Sequence, residues 1–74
     1  MSELPNVDRQ GTEIRVNAIV FYADGDRLLE GKVVYVAEPD TAELVIESPG
    51  VGLFIKDGRA NDGYVVYKDV YVLP

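Results

Sequence analysis

Ala42-Glu43-Leu44-Val45-Ile46-Glu47-Ser48 sets Ala42, Leu44 and Ile46 against Glu43, Val45 and Glu47 at alternate positions. A two-residue period places each set on its own face of a pleated strand. Leu44 and Ile46 therefore face a core, and the two glutamates face water. Ser48-Pro49-Gly50 breaks the strand. Before it, Glu38-Pro39-Asp40-Thr41 is a turn, with proline fixing the first corner.

Strand signals continue outward in both directions. Upstream, Leu28 to Glu38 predicts a strand with Leu29, Gly31, Val33, Tyr35 and Ala37 on the inner face. Gly31 inside it marks a bend or a close backbone approach. Ala23-Asp24-Gly25-Asp26 supplies a tight turn. A first strand from about Thr12 to Tyr22 points Ile14, Val16, Ala18, Val20 and Tyr22 inward. Residues 1–10 are polar, unpatterned and interrupted by Pro5, and read as a loose arm or at most an edge segment. Downstream, Val51 to Lys56 is a short strand, and Asp57 to Gly63 consists of loop formers. Tyr64 to Tyr67 and Val70 to Leu73 are strands on either side of a Lys68-Asp69 turn. No ten residues show a helical period. The reading is a single all-β domain over residues 11–74, a small antiparallel meander barrel of five or six strands that curls on itself to bury its edges.

The chain has 74 residues, 47% of them apolar, no cysteine, and a net charge of −6 from thirteen acids and seven bases. Without thiols, no disulfide or thiolate metal site braces the fold, and no oxidising compartment is required. The start shows no basic region followed by an apolar stretch, and no apolar run approaches the length of a membrane span. A soluble, cytoplasmic protein with no membrane partner is the expectation. The negative charge repels phosphate backbones, and the bases are scattered from Arg9 to Lys68, so nucleic acid is disfavoured as a partner.

Catalysis finds little support. There is no histidine and no cysteine, and neither Ser2 nor Ser48 has a base to activate it. No glycine-rich phosphate loop occurs. The acid-bearing segments Asp24-Gly25-Asp26 and Asp57 to Asp62 lack the spacing of a calcium loop and read as turn chemistry. The expectation is a protein that is not an enzyme and holds no metal or cofactor.

Two features point to binding. Glu38, Asp40, Glu43 and Glu47 make an acidic hairpin, with Glu43 and Glu47 on one face, suited to a basic protein partner, including a nucleic-acid-binding protein whose groove such a face occupies as a phosphate mimic. Tyr64 and Tyr67 lie where the 57–63 loop returns, and tyrosine suits contact surfaces because its ring supplies area while its hydroxyl tolerates water. Arg59 in that loop completes the candidate set, whereas Tyr35 is assigned to the core.

The run Val16-Asn17-Ala18-Ile19-Val20-Phe21-Tyr22, then Asp24-Gly25-Asp26, then Leu29-Glu30-Gly31-Lys32-Val33, resembles the opening of the SH3-like small barrels of the Tudor and KOW kind. The ending Val65-Val66-Tyr67-Lys68-Asp69-Val70-Tyr71-Val72-Leu73 is similar to that family's close, a tight turn before a short last strand. The resemblance covers about residues 12 to 73 and implies an SH3-like barrel acting as a binding module. Leu28 and Leu29 stand where Tudor modules usually carry an aromatic residue, so their methyl-reading cage is not carried over. Likeness to the KOW kind implies an alternative, a nucleic-acid-associated barrel using Lys56, Arg59 and Lys68. The plasmid-type dihydrofolate reductases use a barrel of this size as a tetramer, which implies a further alternative, a homo-oligomeric enzyme with its site between subunits. The oligomeric state is left open.

Overall fold

Eight short strands carry the chain in the computed structural model, which describes residues 6–36, 42–61 and 63–74. They are β1 (Asn6–Asp8), β2 (Ile19–Asp24), β3 (Arg27–Val36), β4 (Glu43–Ser48), β5 (Gly52–Asp57), β6 (Arg59–Asn61), β7 (Tyr64–Tyr67) and β8 (Val70–Val72). The fold is all-β, as the alternation predicts. Among the described residues the ladders form two sheets and no single closed barrel. One sheet has five antiparallel strands in the order β5-β4-β3-β2-β8; the other has three in the order β1-β7-β6.

The core forms where the alternation is cleanest. Leu44 and Ile46 on β4 are fully buried, opposite Val36 and Val33 on β3 and Lys56 and Phe54 on β5. Val20 and Tyr22 on β2 join them, with Val65 and Tyr67 from β7 and Val70 from β8, so both sheets share one core. The Tyr22 ring packs on Phe54 with centroids 5.2 Å apart at a tilt of 52°. Ser48, the next inward position after Ile46, donates its hydroxyl proton to the Glu30 carbonyl at 2.7 Å. That leaves the Ser48 oxygen to accept from the buried Tyr22 hydroxyl, so both polar tips are satisfied inside the core.

Two glycines fix how closely the strands approach. A Cβ added at Gly31 would lie 2.5 Å from Ile46 Cγ2 and 2.8 Å from the Glu47 carbonyl, so the expected close approach is real. At Gly58, between β5 and β6, a Cβ would lie 2.8 Å from Val65 Cγ1 and 2.9 Å from the Tyr67 ring. The Gly58 N–H bonds the Ala42 carbonyl at 2.8 Å, and here the chain leaves the larger sheet for the smaller one.

Four expectations are corrected. The first strand begins at Ile19, not Thr12. Asn17 stands at a φ of 79°, a left-handed conformation that asparagine tolerates and an extended strand does not, so residues 9–18 wind irregularly. Val16, expected inward, is 50% exposed, while Ile14 is buried. Second, of the two readings of residues 1–10, Asn6–Asp8 takes the edge segment and not the loose arm: it pairs in parallel with β7 at the edge of the smaller sheet, and Asp8 is buried. Third, β3 carries a bulge. Its register with β4 passes from Val33↔Ile46 directly to Tyr35↔Val45, which leaves Val34 as an extra residue. The extra residue inverts the phase, so Tyr35 turns outward, 55% exposed, and Val36 packs against the core instead. Fourth, the 57–63 segment is not entirely loop, because Arg59–Asn61 pairs with Tyr64–Val66.

Candidate functional site

The β4 alternation that builds the core also presents Glu43, Val45 and Glu47 on the opposite face. Cross-strand register sets their neighbours. Val45 lies between Tyr35 on β3 and Ile55 on β5, which makes an apolar row three strands wide. Tyr35 is 55% and Ile55 63% exposed, and Leu53, beside Ile55 on the same face, is 66% exposed. Each of these side chains leaves much of its apolar surface in water. A contiguous apolar patch rimmed by charge is the usual mark of a contact surface, whereas scattered exposed aliphatics are not.

The rim is charged on both sides. On one, Glu47 lies between Lys32 on β3 and Leu53 on β5. On the other, Glu43 stands directly opposite Asp57. Like charges in directly opposed positions destabilise a sheet, so this pair is retained against a local cost. The ion pairs formed by the described residues, Arg15–Glu13 and Arg27–Asp24, lie elsewhere, and Asp57 shares a small cleft with Arg59 and Lys68 without an ion pair to either. The combined field of Glu43 and Asp57 reaches Tyr67. Burial is the main cause that pushes the Tyr67 hydroxyl up to about 12, and the charges of Asp57 and then Glu43 add to it.

The sequence-derived site residues are only partly brought together. Glu43 and Glu47 share one exposed face, as their spacing predicts. Glu38 and Asp40 lie outside the described residues. Tyr67 is a correction: at 1% exposure it is a core residue, its hydroxyl donating to Asn6 Oδ1 at 3.2 Å, and no partner reaches its ring. Tyr64 and Arg59 are exposed but belong to the three-stranded sheet, not to the face carrying the glutamates. Of the three bases in the nucleic-acid alternative, Lys56 donates to the Ala23 carbonyl at 2.7 Å. Arg59 and Lys68 line a small cleft of about 230 Å³ together with Asp57 and Asp69, so that cleft has as many acids as bases.

The residues that sequence reasoning missed are Tyr35, Val45, Leu53 and Ile55. A signal for the last two was present: Val51 to Ile55 is apolar on both parities apart from Gly52, as a strand with two covered faces would be. Tyr35 could not be found this way, since a bulge leaves no mark in the alternation until the phase has slipped.

A second hollow, about 600 Å³, opens beside the β4–β5 turn, with Ile19, Leu29 and Val51 as its apolar wall and Glu30, Lys32 and Glu47 at its polar side. Glu47 thus borders both the hollow and the apolar row. No cluster of three acids able to hold a metal occurs among the described residues, and no helix among them is long and apolar enough to cross a membrane. Compared with known proteins, the chain matches no family model, no curated protein and no solved structure.

Proposed function

We propose that the chain is a non-catalytic binding module, an acidic SH3-like barrel that docks a protein partner on the outer face of β3, β4 and β5. The barrel reading rests on chain continuity. β5 passes through Gly58 into β6, β6 pairs with β7, and β7 turns at Lys68-Asp69 into β8, which pairs with β2. Followed this way, the path of the chain makes a ring through both sheets around one core, with Gly58 and Lys68-Asp69 as the corners where the chain continues and the strand pairing does not.

The observation that carries the docking reading is the exposed Tyr35–Val45–Ile55 row held between Glu47 and the directly opposed Glu43–Asp57 pair. An apolar centre with a charged rim is the anatomy of a protein interface. The sign of the rim, with the net charge of −6, selects a partner that brings lysines or arginines, a nucleic-acid-binding protein among them. The same charge argues against nucleic acid itself and against an anionic membrane surface. The reading needs no cofactor and, in a chain without cysteine, suits the cytoplasm.

Affinity capture with the full chain immobilised tests it. A basic partner should be retained by the wild type, lost with Tyr35→Ser combined with Ile55→Ser, and captured more slowly with Glu43→Lys combined with Glu47→Lys, most clearly at low salt. Retention of the same proteins by all three forms would refute the assignment of this face.

A further inference from the structure

β5 is an edge of the five-stranded sheet, and its geometry bears on how the protein exists in solution. It is six residues long, paired on one side with β4, and no other described strand pairs with its far side. Proteins blunt such edges with proline, bulges, or charged side chains projecting from the edge. β5 has none of the first two: Gly52-Leu53-Phe54-Ile55-Lys56-Asp57 lacks proline and pairs with β4 in unbroken register. Its lysine is no guard either, because the Lys56 ammonium is turned across to the Ala23 carbonyl. The remaining edges are strands of only three residues, β1, β6 and β8.

We propose that β5 pairs antiparallel with β5 of a second copy of this chain, about a two-fold axis through Phe54 and perpendicular to the sheet. Such an axis keeps the outer face of each copy outward, so residues of equal parity must meet. Centred on Phe54, it sets Leu53 against Ile55 of the other copy and Ile55 against Leu53, while Gly52 meets Lys56 on the inner side. Leu53 and Ile55, which each copy leaves 63–66% exposed, make four aliphatic side chains that cover one another at the centre of the contact. Moving the axis to Ile55 would instead set Leu53 against Asp57 and Phe54 against Lys56, putting an apolar side chain beside a charged one at each of those positions.

Charge permits the Phe54 register as well. Asp57 falls opposite Val51 of the other copy, so the two Asp57 carboxylates stand roughly 20 Å apart along the strands, beyond the Debye length of about 8 Å at physiological salt. Glu47 reaches the contact across Leu53 and meets apolar side chains there, with Lys32 on its other flank. What opposes pairing is the diffuse repulsion of two bodies of charge −6, which salt screens. The pairing also joins the two Tyr35–Val45–Ile55 rows across one continuous ten-stranded sheet. It does not rest on the docking reading, and the tests below involve no partner protein.

Sedimentation equilibrium of the full chain should show a shift from 8.2 kDa to twice that mass as concentration rises, with the dissociation constant falling when salt is added. Ile55→Lys should weaken association about tenfold or more while leaving the circular dichroism unchanged, since the position is exposed in the single copy. The register has its own readout, helped by the absence of native cysteine. A mixture of Leu53→Cys and Ile55→Cys chains should oxidise mainly to the mixed disulfide, because those positions face each other, and to little of the Ile55→Cys homodimer. A mass of 8.2 kDa up to millimolar protein, an unchanged dissociation constant with Ile55→Lys, or preferential cross-linking of Ile55→Cys to itself would each overturn the proposal.

Discussion

The backbone N–H of Val72 donates to Asp8 Oδ2 at 2.8 Å, joining two residues 64 positions apart in the chain. The other carboxylate oxygen accepts from the N–H groups of Gln10 at 2.8 Å and Thr12 at 2.9 Å. One buried carboxylate therefore closes the turn after β1 and fastens β1 to β8. The N–H of Arg9, the residue just after β1, bonds the Val70 carbonyl of β8 at 3.2 Å and adds a second tie at the same place. A buried charge is costly unless hydrogen bonds replace its hydration, and here three backbone donors do so.

Asp8→Ala removes the acceptor for all three donors and should cost about 2–4 kcal/mol, most of it at the half-buried Val72 N–H, since Gln10 and Thr12 lie in an exposed turn where water can take the place of the carboxylate. Asp8→Asn should be milder. Its amide oxygen can keep Gln10 and Thr12, but its NH2 would face the Val72 donor. Urea unfolding of the three proteins measures the difference. An alanine variant within about 1 kcal/mol of wild type would mean that water replaces the carboxylate without loss.

Gly31→Ala should destabilise by roughly 1–3 kcal/mol, because the added methyl has no room between Ile46 and the Glu47 carbonyl and β3 must shift from β4. The Glu47 carbonyl is backbone, so trimming Ile46 cannot restore the loss in full. A neutral Gly31→Ala would show that the strands separate more easily than their register suggests.

Tyr35 and Leu44 face away from each other across the same two strands, and truncation should separate them. Leu44→Ala, at a fully buried position, should cost about 2–5 kcal/mol. Tyr35→Ala, at a position left outward by the bulge, should cost less than about 1 kcal/mol. If Tyr35→Ala proved as costly as Leu44→Ala, Tyr35 would be packing inward as plain alternation predicts, and the bulge would be refuted.

That pair of residues also shows what the sequence could carry. On β4 and the near half of β3, alternation, turn residues and Gly31 were legible because each reflects a local rule: period two, positive-φ turns, a missing Cβ. Tyr35 was misread because its orientation depends on one inserted residue that only the partner strand reveals. Asn17 ended a strand that its apolar neighbours promised, and Asp8 anchored a segment whose composition looked loose, through a donor 64 positions away. Glu43 and Glu47 were placed correctly as a shared face. Their apolar companions were not, since Leu53 and Ile55 meet Val45 only through register.

Tyr67 makes stability depend on alkaline pH in a defined direction. Burial, then the charges of Asp57 and Glu43, raises its hydroxyl from 10.0 to about 12 in the folded protein. Below pH 10 both folded and unfolded chains keep the proton, and the full stability is present. Between pH 10 and about 12 the unfolded chain loses the proton while the folded one retains it, so unfolding is favoured progressively and stability falls with rising pH. The loss levels off once the folded hydroxyl also ionises. Each pH unit in that window is worth at most about 1.4 kcal/mol for one group, giving a total of roughly 1–3 kcal/mol after allowing for solvent near the hydroxyl. Tyr67→Phe has no proton to lose at this site and should show a correspondingly flatter decline over the same range, although it starts lower for want of the Asn6 hydrogen bond. Glu43→Gln should shift the onset of tyrosinate absorbance from Tyr67 to lower pH, because it removes one of the charges that oppose ionisation. Denaturant titrations at pH 9, 10, 11 and 12 compare the proteins directly. Parallel curves for wild type and Tyr67→Phe would show that the buried hydroxyl is not what couples stability to pH.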